Sequence, residues 1–350
     1  MASATTALPS TLAHSSTALC SLTKRDEAIL PLAAQLVAEA DALVLCTGAG
    51  LGVSSGISTF RGQAAGSWPP LHDTALGFED MSCPEWFDRP ALIADSSIID
   101  AKESANFGYA FWQSRYQQYT NAVPHEGYHI LHTWMKSKSG GFFSFTSNID
   151  GAFRRIGIPE DQLHEVHGSI DFMQCVNNCT NNASNIWKAK DTEWNMKIDP
   201  TSSHAVAADQ EFPQCPNCKG RARSNVMMFS DGTFDSRRID KQEAAFDAWL
   251  LRVKSANKYV PIKVLVIEIG AGVTIPTVRR TSEYVIKMLG LEQASLLRIN
   301  PEHPQIPGSV VSADARDVGN RLISMTSDSL TVMQRINMLI SSSSSDAEKA

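Results

Sequence analysis

Two absences bound what this chain can be. It has no long uninterrupted apolar run, since its most hydrophobic segment, Val264–Ile269, is only as long as one buried strand. It has no basic excess either, because 31 Lys and Arg stand against 37 Asp and Glu, for a net charge of −6. The first absence predicts no membrane-spanning helix, and the second gives no sign of a nucleic-acid or anionic-membrane surface.

Cysteine is also scarce. Seven cysteines in 350 residues, with no secretion signal, predict a protein of a reducing intracellular compartment. Residues 1–23 contain no acidic side chain and no arginine, which favours a disordered tail over residues 1–25 rather than a transit peptide. We therefore expect the cytoplasm or nucleus rather than a mitochondrion or plastid.

The rest of the composition is that of a soluble α/β protein. Hydrophobic residues make up 43%, enough for a sizeable core. Short apolar runs at 42–46, 142–146, 262–269 and 294–299 predict strands separated by helical stretches. This alternation predicts a Rossmann-like fold, a parallel sheet with helices on both faces, in which ligands bind beyond the carboxyl ends of the strands.

A smaller domain is expected to interrupt the larger one. The predicted parts are a Rossmann-like domain at 26–62, 136–170 and 226–325, a helical insertion at 63–135, a zinc-binding module at 171–225, and a C-terminal helix and tail at 326–350. The insertion is rich in aromatics and has no obvious strand, and the final tail is predicted to begin at Ser341.

A glycine-rich segment follows the first predicted strand directly. In Thr47–Gly56, the residues Gly48, Ala49 and Gly50 would let backbone N–H groups approach a phosphate without side chains in the way. A lone Gly-Ala-Gly after a strand is more often a tight turn than a nucleotide site. A second such signature, Gly270-Ala271-Gly272, follows a later strand.

Two further strands end in side chains suited to ribose chemistry. Ser147, Asn148 and Asp150 follow the strand at 142–146, where they either hold hydroxyl and amide groups or build the turn. His167 follows another short apolar stretch, and a pKa near neutrality suits a general base. A nucleotide cradle and a positioned histidine together predict chemistry on a dinucleotide.

Four of the cysteines form two close pairs, Cys175 with Cys179 and Cys215 with Cys218. Four thiolates satisfy tetrahedral zinc, and a closed set of four sulfurs leaves no position for a catalytic water. The spacing therefore predicts one structural zinc ion. Four reduced buried thiols remain the alternative, and a disulfide framework is less favoured still.

These motifs, in this order, resemble those of the sirtuins, which are NAD-dependent protein deacylases. The resemblance covers roughly residues 41–317. It rests on Gly48-Ala49-Gly50, Ser55-Gly56-Ile57, Phe60-Arg61-Gly62, Asn148-Ile149-Asp150, His167-Gly168, the two cysteine pairs, Asn225–Phe229 and Arg298-Ile299-Asn300.

The resemblance implies a role for each candidate residue. In chain order, Gly48, Ala49 and Gly50 line the phosphates of NAD; Phe60 and Arg61 belong to a loop over the nicotinamide ribose; Ser147, Asn148 and Asp150 contact the ribose and carboxamide; Val226 and Phe229 hold the acyl-lysine and its peptide; Gly270, Ala271, Gly272, Asn300 and Asp314 lie on the adenosine side.

The resemblance also implies a mechanism, with His167 and Asn148 as its catalytic residues. The acyl oxygen of a modified lysine in a protein or peptide attacks C1′ of the nicotinamide ribose, and nicotinamide leaves. His167 then takes the proton of a ribose hydroxyl, which attacks the acyl carbon. Water then completes the release of the lysine, so the products are nicotinamide, O-acyl-ADP-ribose and free lysine.

Several residues depart from the usual sirtuin pattern. Gly52 stands where Ser is usual, Ser58-Thr59 where Pro-Asp is usual, and Ser147 where Gln is frequent. These changes keep two alternatives open: an ADP-ribosyltransferase or NAD glycohydrolase on the same fold, and a non-catalytic NAD-sensing module. His167 speaks against the sensing module, since a pure binder has no need of a base.

Overall fold

The structure is a computed structural model that describes residues 21–57, 59, 68–71, 76–91, 104–180, 185–192, 194, 196–199, 205–206, 211–256, 262–310 and 318–347. Residues 1–20 of the predicted tail lie outside the described residues. So do three predicted site residues, Phe60, Arg61 and Asp314.

Helices and strands alternate along the described chain. In order they are α1 (Lys24–Glu39), β1 (Ala42–Thr47), α2 (Phe78–Met81), α3 (Glu85–Asp88), α4 (Ala105–Asn121), α5 (Glu126–Lys136), β2 (Phe142–Thr146), α6 (Ala152–Arg155), β3 (Leu163–Glu165), β4 (Gly168–Cys175), β5 (Ile186–Lys188), β6 (Lys197–Ile198), β7 (Ala205–Val206), β8 (Ala222–Val226), α7 (Arg237–Ala256), β9 (Val264–Ile269), α8 (Thr277–Leu289), β10 (Ala294–Ile299), α9 (Val318–Arg321), β11 (Leu322–Met325) and α10 (Ser329–Ala347).

Six of the strands form one parallel sheet in the order β11-β10-β9-β1-β2-β3. Alternate residues of β1 enter two different cores, because the sheet is covered on both faces. Leu43 and Leu45 pack with α1, α5 and α10, while Val44 and Cys46 pack with α7 and α8. The predicted Rossmann-like α/β fold is therefore confirmed.

The helix α5 packs in the core of the larger domain, although the sequence predicted it to be part of the insertion. Its residues Leu131, Trp134 and Met135 belong to the core beneath the large sheet, and the indole of Trp134 donates a hydrogen bond to Asn337 of α10. Its apolar residues recur at helical spacing, which predicts a buried face but not which of the two cores buries it. We therefore place the limit of the insertion before Glu126 rather than at residue 135.

The smaller domain joins the insertion to the four-cysteine segment. Its three-stranded sheet, in the order β5-β4-β8, is antiparallel, and its core is aromatic. Tyr109 of α4 stacks on Phe212 at 4.4 Å between ring centroids and donates a hydrogen bond to the carbonyl of Ala222 in β8. The insertion and the cysteine segment thus share one hydrophobic core.

At the other end, α10 runs through the serines that were predicted to begin a tail. Its first part is anchored by Val332, Met333 and Ile336, all fully buried. A helix held at one end by tertiary packing can continue through residues of modest helix propensity. Among the described helices, none combines the length and apolarity needed to cross a lipid bilayer.

Candidate active site and metal centre

The polar segments noted in the sequence follow neighbouring strands at one edge of the large sheet. Thr47 pairs with Thr146 on one side and with Ile269 on the other, and Ile269 in turn pairs with Ile299. All of these strands are parallel, so the residues that follow them leave the sheet at the same edge. On the far side, β3 ends at Glu165, which pairs with Thr146 and comes two residues before His167. Parallel strands lie about 4.8 Å apart, which puts the end of β3 about 10 Å from that of β1.

The two glycine turns touch each other. The Gly48 N–H donates to the carbonyl of Ile269 at 3.0 Å, and the Gly50 N–H to that of Gly270 at 3.1 Å. A β-carbon added to Gly48 would come within 2.6 Å of the Gly270 oxygen, and one added to Gly50 within 2.6 Å of the Gly270 α-carbon. These glycines therefore let two backbones pack together, which differs from our interpretation of Gly48 and Gly50 as free phosphate donors.

The first turn keeps some capacity for an anion. After Gly48 the chain forms a 3-10 helix over Ala49–Ser55, which ends at Gly56 with φ of +77°. Ala49 is half-buried between the two occupied glycines, and its N–H has no acceptor among the described residues. The predicted contact of Gly48, Ala49 and Gly50 with phosphates stays a prediction, with Ala49 as its best-placed donor.

His167 is held by hydrogen bonds on both its ring and its backbone. One ring N–H donates to the carbonyl of Ser147, and its own carbonyl accepts from Met227 N–H at 2.9 Å. Burial lowers the pKa of His167 below its ordinary value, although the bond to Ser147 offsets part of that effect. At neutral pH the imidazole is therefore neutral, with its second nitrogen as an acceptor, the form a general base requires.

His164, three residues earlier, has a different environment. It is buried with its ring edge-on to Phe145 at 5.0 Å between centroids. Burial and the neighbouring charges of Arg238 and His167 lower the pKa of His164 to about 4. This histidine therefore belongs to the core rather than to the candidate site.

Asn148 and Asp150 occupy the loop between β2 and α6. The side-chain nitrogen of Asn148 is buried and has no partner among the described residues, whereas its backbone N–H donates to the Thr146 hydroxyl. Burial raises the pKa of Asp150, although one of its oxygens accepts a hydrogen bond from Ala152 N–H at 2.8 Å. Asp150 therefore builds the turn while Asn148 keeps a free donor. Ser147 is half-buried. Its N–H donates to the carbonyl of Thr47 at the end of β1, and its own carbonyl accepts from the ring of His167.

On the adenosine side, Asn300 is committed to the protein itself. Its amide donates to the carbonyl of Ala271 at 2.7 Å, and its oxygen accepts from the N–H groups of Glu302 and His303. Ala271 is buried and Gly272 is exposed. Asn300 therefore shapes the loops after β9 and β10, and a contact of Asn300, Gly270, Ala271 or Gly272 with NAD stays a prediction.

Two residues that build this edge were missed at the level of sequence. The guanidinium of buried Arg279 donates to the carbonyls of Ala271, His303 and Gln305, which ties the loops after β9 and β10 together. His125 donates from Nε2 to the Leu51 carbonyl at 2.8 Å and thereby anchors the 3-10 helix. The signal for Arg279 in the sequence was a charged residue on the buried face of α8. The only signal for His125 was its position just before a helix.

The segment after β8 lies against His167. Val226 is buried and pairs with Gly168, while the side chain of Phe229 is 36% exposed. The backbone N–H groups of Met227, Met228 and Phe229 already have acceptors within the protein. A peptide that added here as a strand would therefore have to pair with the carbonyl groups, and the roles of Val226 and Phe229 stay predictions.

A buried ion pair gives this segment its shape. Arg223 and Asp231 are both fully buried and meet at 2.8 Å, and Asp231 also accepts from the N–H groups of Met228 and Thr233. Ser230 has φ of +54°, a left-handed conformation that favours glycine. The hydrogen bonds to Asp231 on either side of Ser230 thus hold this turn in a left-handed backbone form.

The four cysteines of the smaller domain form a metal centre. Cys175 and Cys218 have their sulfurs 3.7 Å apart, and Cys179 and Cys215 3.6 Å apart, with all four within 4.8 Å of one another. Zinc–sulfur bonds of about 2.3 Å in a tetrahedron require sulfurs about 3.8 Å apart. The donor set fits one structural zinc ion, which would join the start of the cysteine segment to its end.

A parallel sheet with a polar carboxyl edge and an inserted four-cysteine module defines a Rossmann-like protein with a structural metal site. A model of the Sir2 family matches residues 48–247, more than half of the chain. The chain belongs to the Sir2 family.

Curated relatives agree with this assignment. The chain is 24% identical over 271 residues to a probable bifunctional ADP-ribose hydrolase/ADP-ribosyltransferase of Fusarium oxysporum f. sp. cubense, in a match that covers 77% of this chain and 42% of that protein. It is 25% identical to an NAD-dependent deacetylase of Dictyostelium discoideum, covering 59% and 54%. It is also 25% identical to an NAD-dependent protein deacylase of Aquifex aeolicus, covering 75% and 85%. The chain thus spans about half the length of the first two relatives and most of the third.

Solved structures support the fold. A crystal structure of a Sir2 homologue–NAD complex aligns with a TM-score of 0.58 at 18% identity, covering 91% of this chain and 94% of the other. A Sir2 homologue mutant in complex with 2′-O-acetyl ADP-ribose aligns with a TM-score of 0.57 at 18% identity, covering 89% and 96%.

Proposed function

We propose that this chain is an NAD-dependent protein lysine deacylase that converts NAD and an acyl-lysine peptide into nicotinamide, O-acyl-ADP-ribose and free lysine. The observation that carries the proposal is the state of His167: a neutral imidazole with one ring nitrogen bonded to Ser147 and the other available. Family membership and the deacylase names of several relatives support the same activity.

The residues at the sheet edge fit NAD. Asn148 has an unpaired buried amide nitrogen, and Ala49 offers a backbone N–H at the end of β1. When bound, NAD supplies a glycosidic bond to nicotinamide whose cleavage drives the transfer of the acyl group. The chain itself holds the ligand between these donors and keeps the second ring nitrogen of His167 ready to take a ribose hydroxyl proton.

The base is positioned by backbone on two sides. Ser147, at the end of β2, fixes the ring, while Met227, just after β8, fixes the carbonyl of His167. An element of the large domain and an element of the smaller domain therefore both hold this residue. An acyl-lysine that lies along Val226 would present its acyl group beside the imidazole.

The first test is a product assay on the purified full chain with NAD and an acetylated peptide. Free lysine together with O-acetyl-ADP-ribose supports the proposal. ADP-ribosylated protein or plain ADP-ribose would instead support the alternative that the name of the Fusarium relative suggests. Unchanged NAD would leave only a sensing module.

Replacement of His167 by alanine tests the mechanism. We expect kcat to fall by a factor on the order of 10² to 10⁴, the usual contribution of a general base, while NAD still binds. In the unaltered protein, kcat/KM should hold to below pH 6.5, because a lowered pKa keeps the imidazole neutral at lower pH.

His129→Ala is the matched control, since this imidazole is exposed on α5. It should leave the rate and the pH profile unchanged. Deacylation at the full rate by His167→Ala would contradict the proposed mechanism.

A further inference from the structure

Two buried polar groups, the hydroxyl of Tyr128 and the amide of Asn148, lie beside the loop that follows β2. Tyr128 of α5 is 1% exposed, and its hydroxyl has no hydrogen-bond partner among the described residues. The side-chain nitrogen of Asn148 is also buried without a partner at hydrogen-bond distance among the described residues. Burying such groups without a partner costs free energy, so their presence calls for an explanation.

The two groups face each other. The side chains of Tyr128 and Asn148 interact, and the negative charge of Asp150 is near enough to act on the phenol as well. Burial raises the pKa of Tyr128 well above its ordinary value, whereas the amide of Asn148 acts to lower it, as an N–H that faces the phenol oxygen does. A phenol that can donate, an amide and a buried carboxyl therefore share one small region behind the loop that follows β2.

The ring of Tyr128 is fixed by its neighbours. It packs against His125 at 5.0 Å and edge-on to Phe153 at 5.3 Å between centroids. His125 bonds to the 3-10 helix after β1, and Phe153 belongs to α6, directly after Asp150. The hydroxyl is thus aimed at the Asn148 loop by elements on both sides of it.

This region adjoins an open position in the first turn. A β-carbon added to Gly52 would lie 3.8 Å from an oxygen of Asp150 and 3.4 Å from the nearest atom of Ile57, which is ordinary contact. The chain therefore has room for a side chain there but carries none. Instead, Tyr128 of α5 supplies a hydroxyl near Asp150 and Asn148.

We propose that Tyr128 is a positioning residue, whose hydroxyl orients the amide of Asn148 toward the nicotinamide end of bound NAD. The inference rests on the proposed function, because it needs NAD to bind at this edge of the sheet. Tyr128 acts through Asn148 and touches neither reacting atom.

The test measures NAD binding by calorimetry for Tyr128→Phe, Asn148→Ala and the double variant. Tyr128→Phe keeps the ring and removes only the hydroxyl, so we expect about fivefold weaker binding, the scale of one buried hydrogen bond. Its Tm should stay the same or rise, because an unpaired buried hydroxyl is removed. In the Asn148→Ala background, the same change should have no further effect.

Tyr109→Phe is the control, since its hydroxyl bonds to the Ala222 carbonyl within the smaller domain. It should lower Tm and leave NAD affinity unchanged. Unaltered NAD affinity in Tyr128→Phe, or losses that add in the double variant, would overturn the inference. If the unaltered protein bound no NAD, the proposed function would fail, and this inference with it.

Discussion

Gly168 shows how closely a single residue can control the candidate base. It follows His167, has φ of +79°, and lies where an added β-carbon would press on the carbonyl of Asn225 in β8. The left-handed backbone and the close approach are separate reasons for glycine. The pairing of β4 with β8 begins here, so the position of His167 depends on it.

Gly168→Ala should therefore destabilise the protein by about 2 kcal/mol or more, and should reduce deacylation further by displacing His167. Chemical denaturation and the product assay measure the two effects. Gly319→Ala is the control, because a β-carbon there meets nothing within 4 Å and the residue lies in α9. A stability loss at Gly168 no larger than at Gly319 would contradict the steric argument.

At the scale of elements, the four central parallel strands β1, β2, β9 and β10 were predictable, because buried strands are continuous apolar runs. The predictions at 142–146 and 294–299 match β2 and β10 residue for residue. The destination of α5 was not predictable, since one apolar helix face can pack against either of two cores. Strand ends are local features, whereas the choice of core depends on contacts between distant segments.

The candidate site also has some features that residue type and spacing reveal and others that depend on distant contacts. The four-cysteine cluster was predicted correctly, because its chemistry is visible in residue type and spacing, and the roles of His167 and Asn148 stay predictions made on the same kind of signal. Arg279 was missed because its partners are backbone carbonyls, which residue type does not reveal, and its charge on the buried face of α8 was the only signal. For Gly48 and Gly50 the phosphate role stays a prediction, and their close packing on Gly270 could not be predicted, because that backbone comes from 220 residues further along the chain.

We expect the folding of the smaller domain to depend on its metal centre. Cys175 ends β4, and Cys215 and Cys218 lie shortly before β8, so one ion would fasten both strands. Cys218→Ser should lower the zinc content from one per chain toward zero and open this module, because bound zinc contributes folding free energy. Elemental analysis and denaturation measure both.

Cys83→Ser is the control for that change, since Cys83 is outside the four-cysteine cluster. It should keep one zinc per chain. Full zinc content in Cys218→Ser would contradict the four-sulfur assignment.

At the scale of the whole molecule, the first helix and the last are joined through one buried carboxylate. Asp26, in the first turn of α1, accepts hydrogen bonds from the backbone and hydroxyl groups of Thr326 and Ser327, which link β11 to α10. Burial raises the pKa of Asp26, but the hydrogen bonds from Ser327 and Thr326 outweigh it and leave the pKa lowered. The charged form is therefore the one that holds the two ends of the fold together.

A lowered folded-state pKa gives stability that is present above the unfolded pKa, near 4, and is lost as the pH falls through the folded pKa. Asp26→Asn should cost about 1 to 3 kcal/mol of unfolding free energy at pH 7. The difference from the unaltered protein should shrink as the pH falls below about 4, as measured by denaturation across pH. Glu27→Gln, an exposed acid in the same helical turn, corrects for the helix dipole and should show a much smaller difference. Equal losses of stability in the two variants at every pH would contradict the claim that the Asp26 carboxylate links α1 to the junction of β11 and α10.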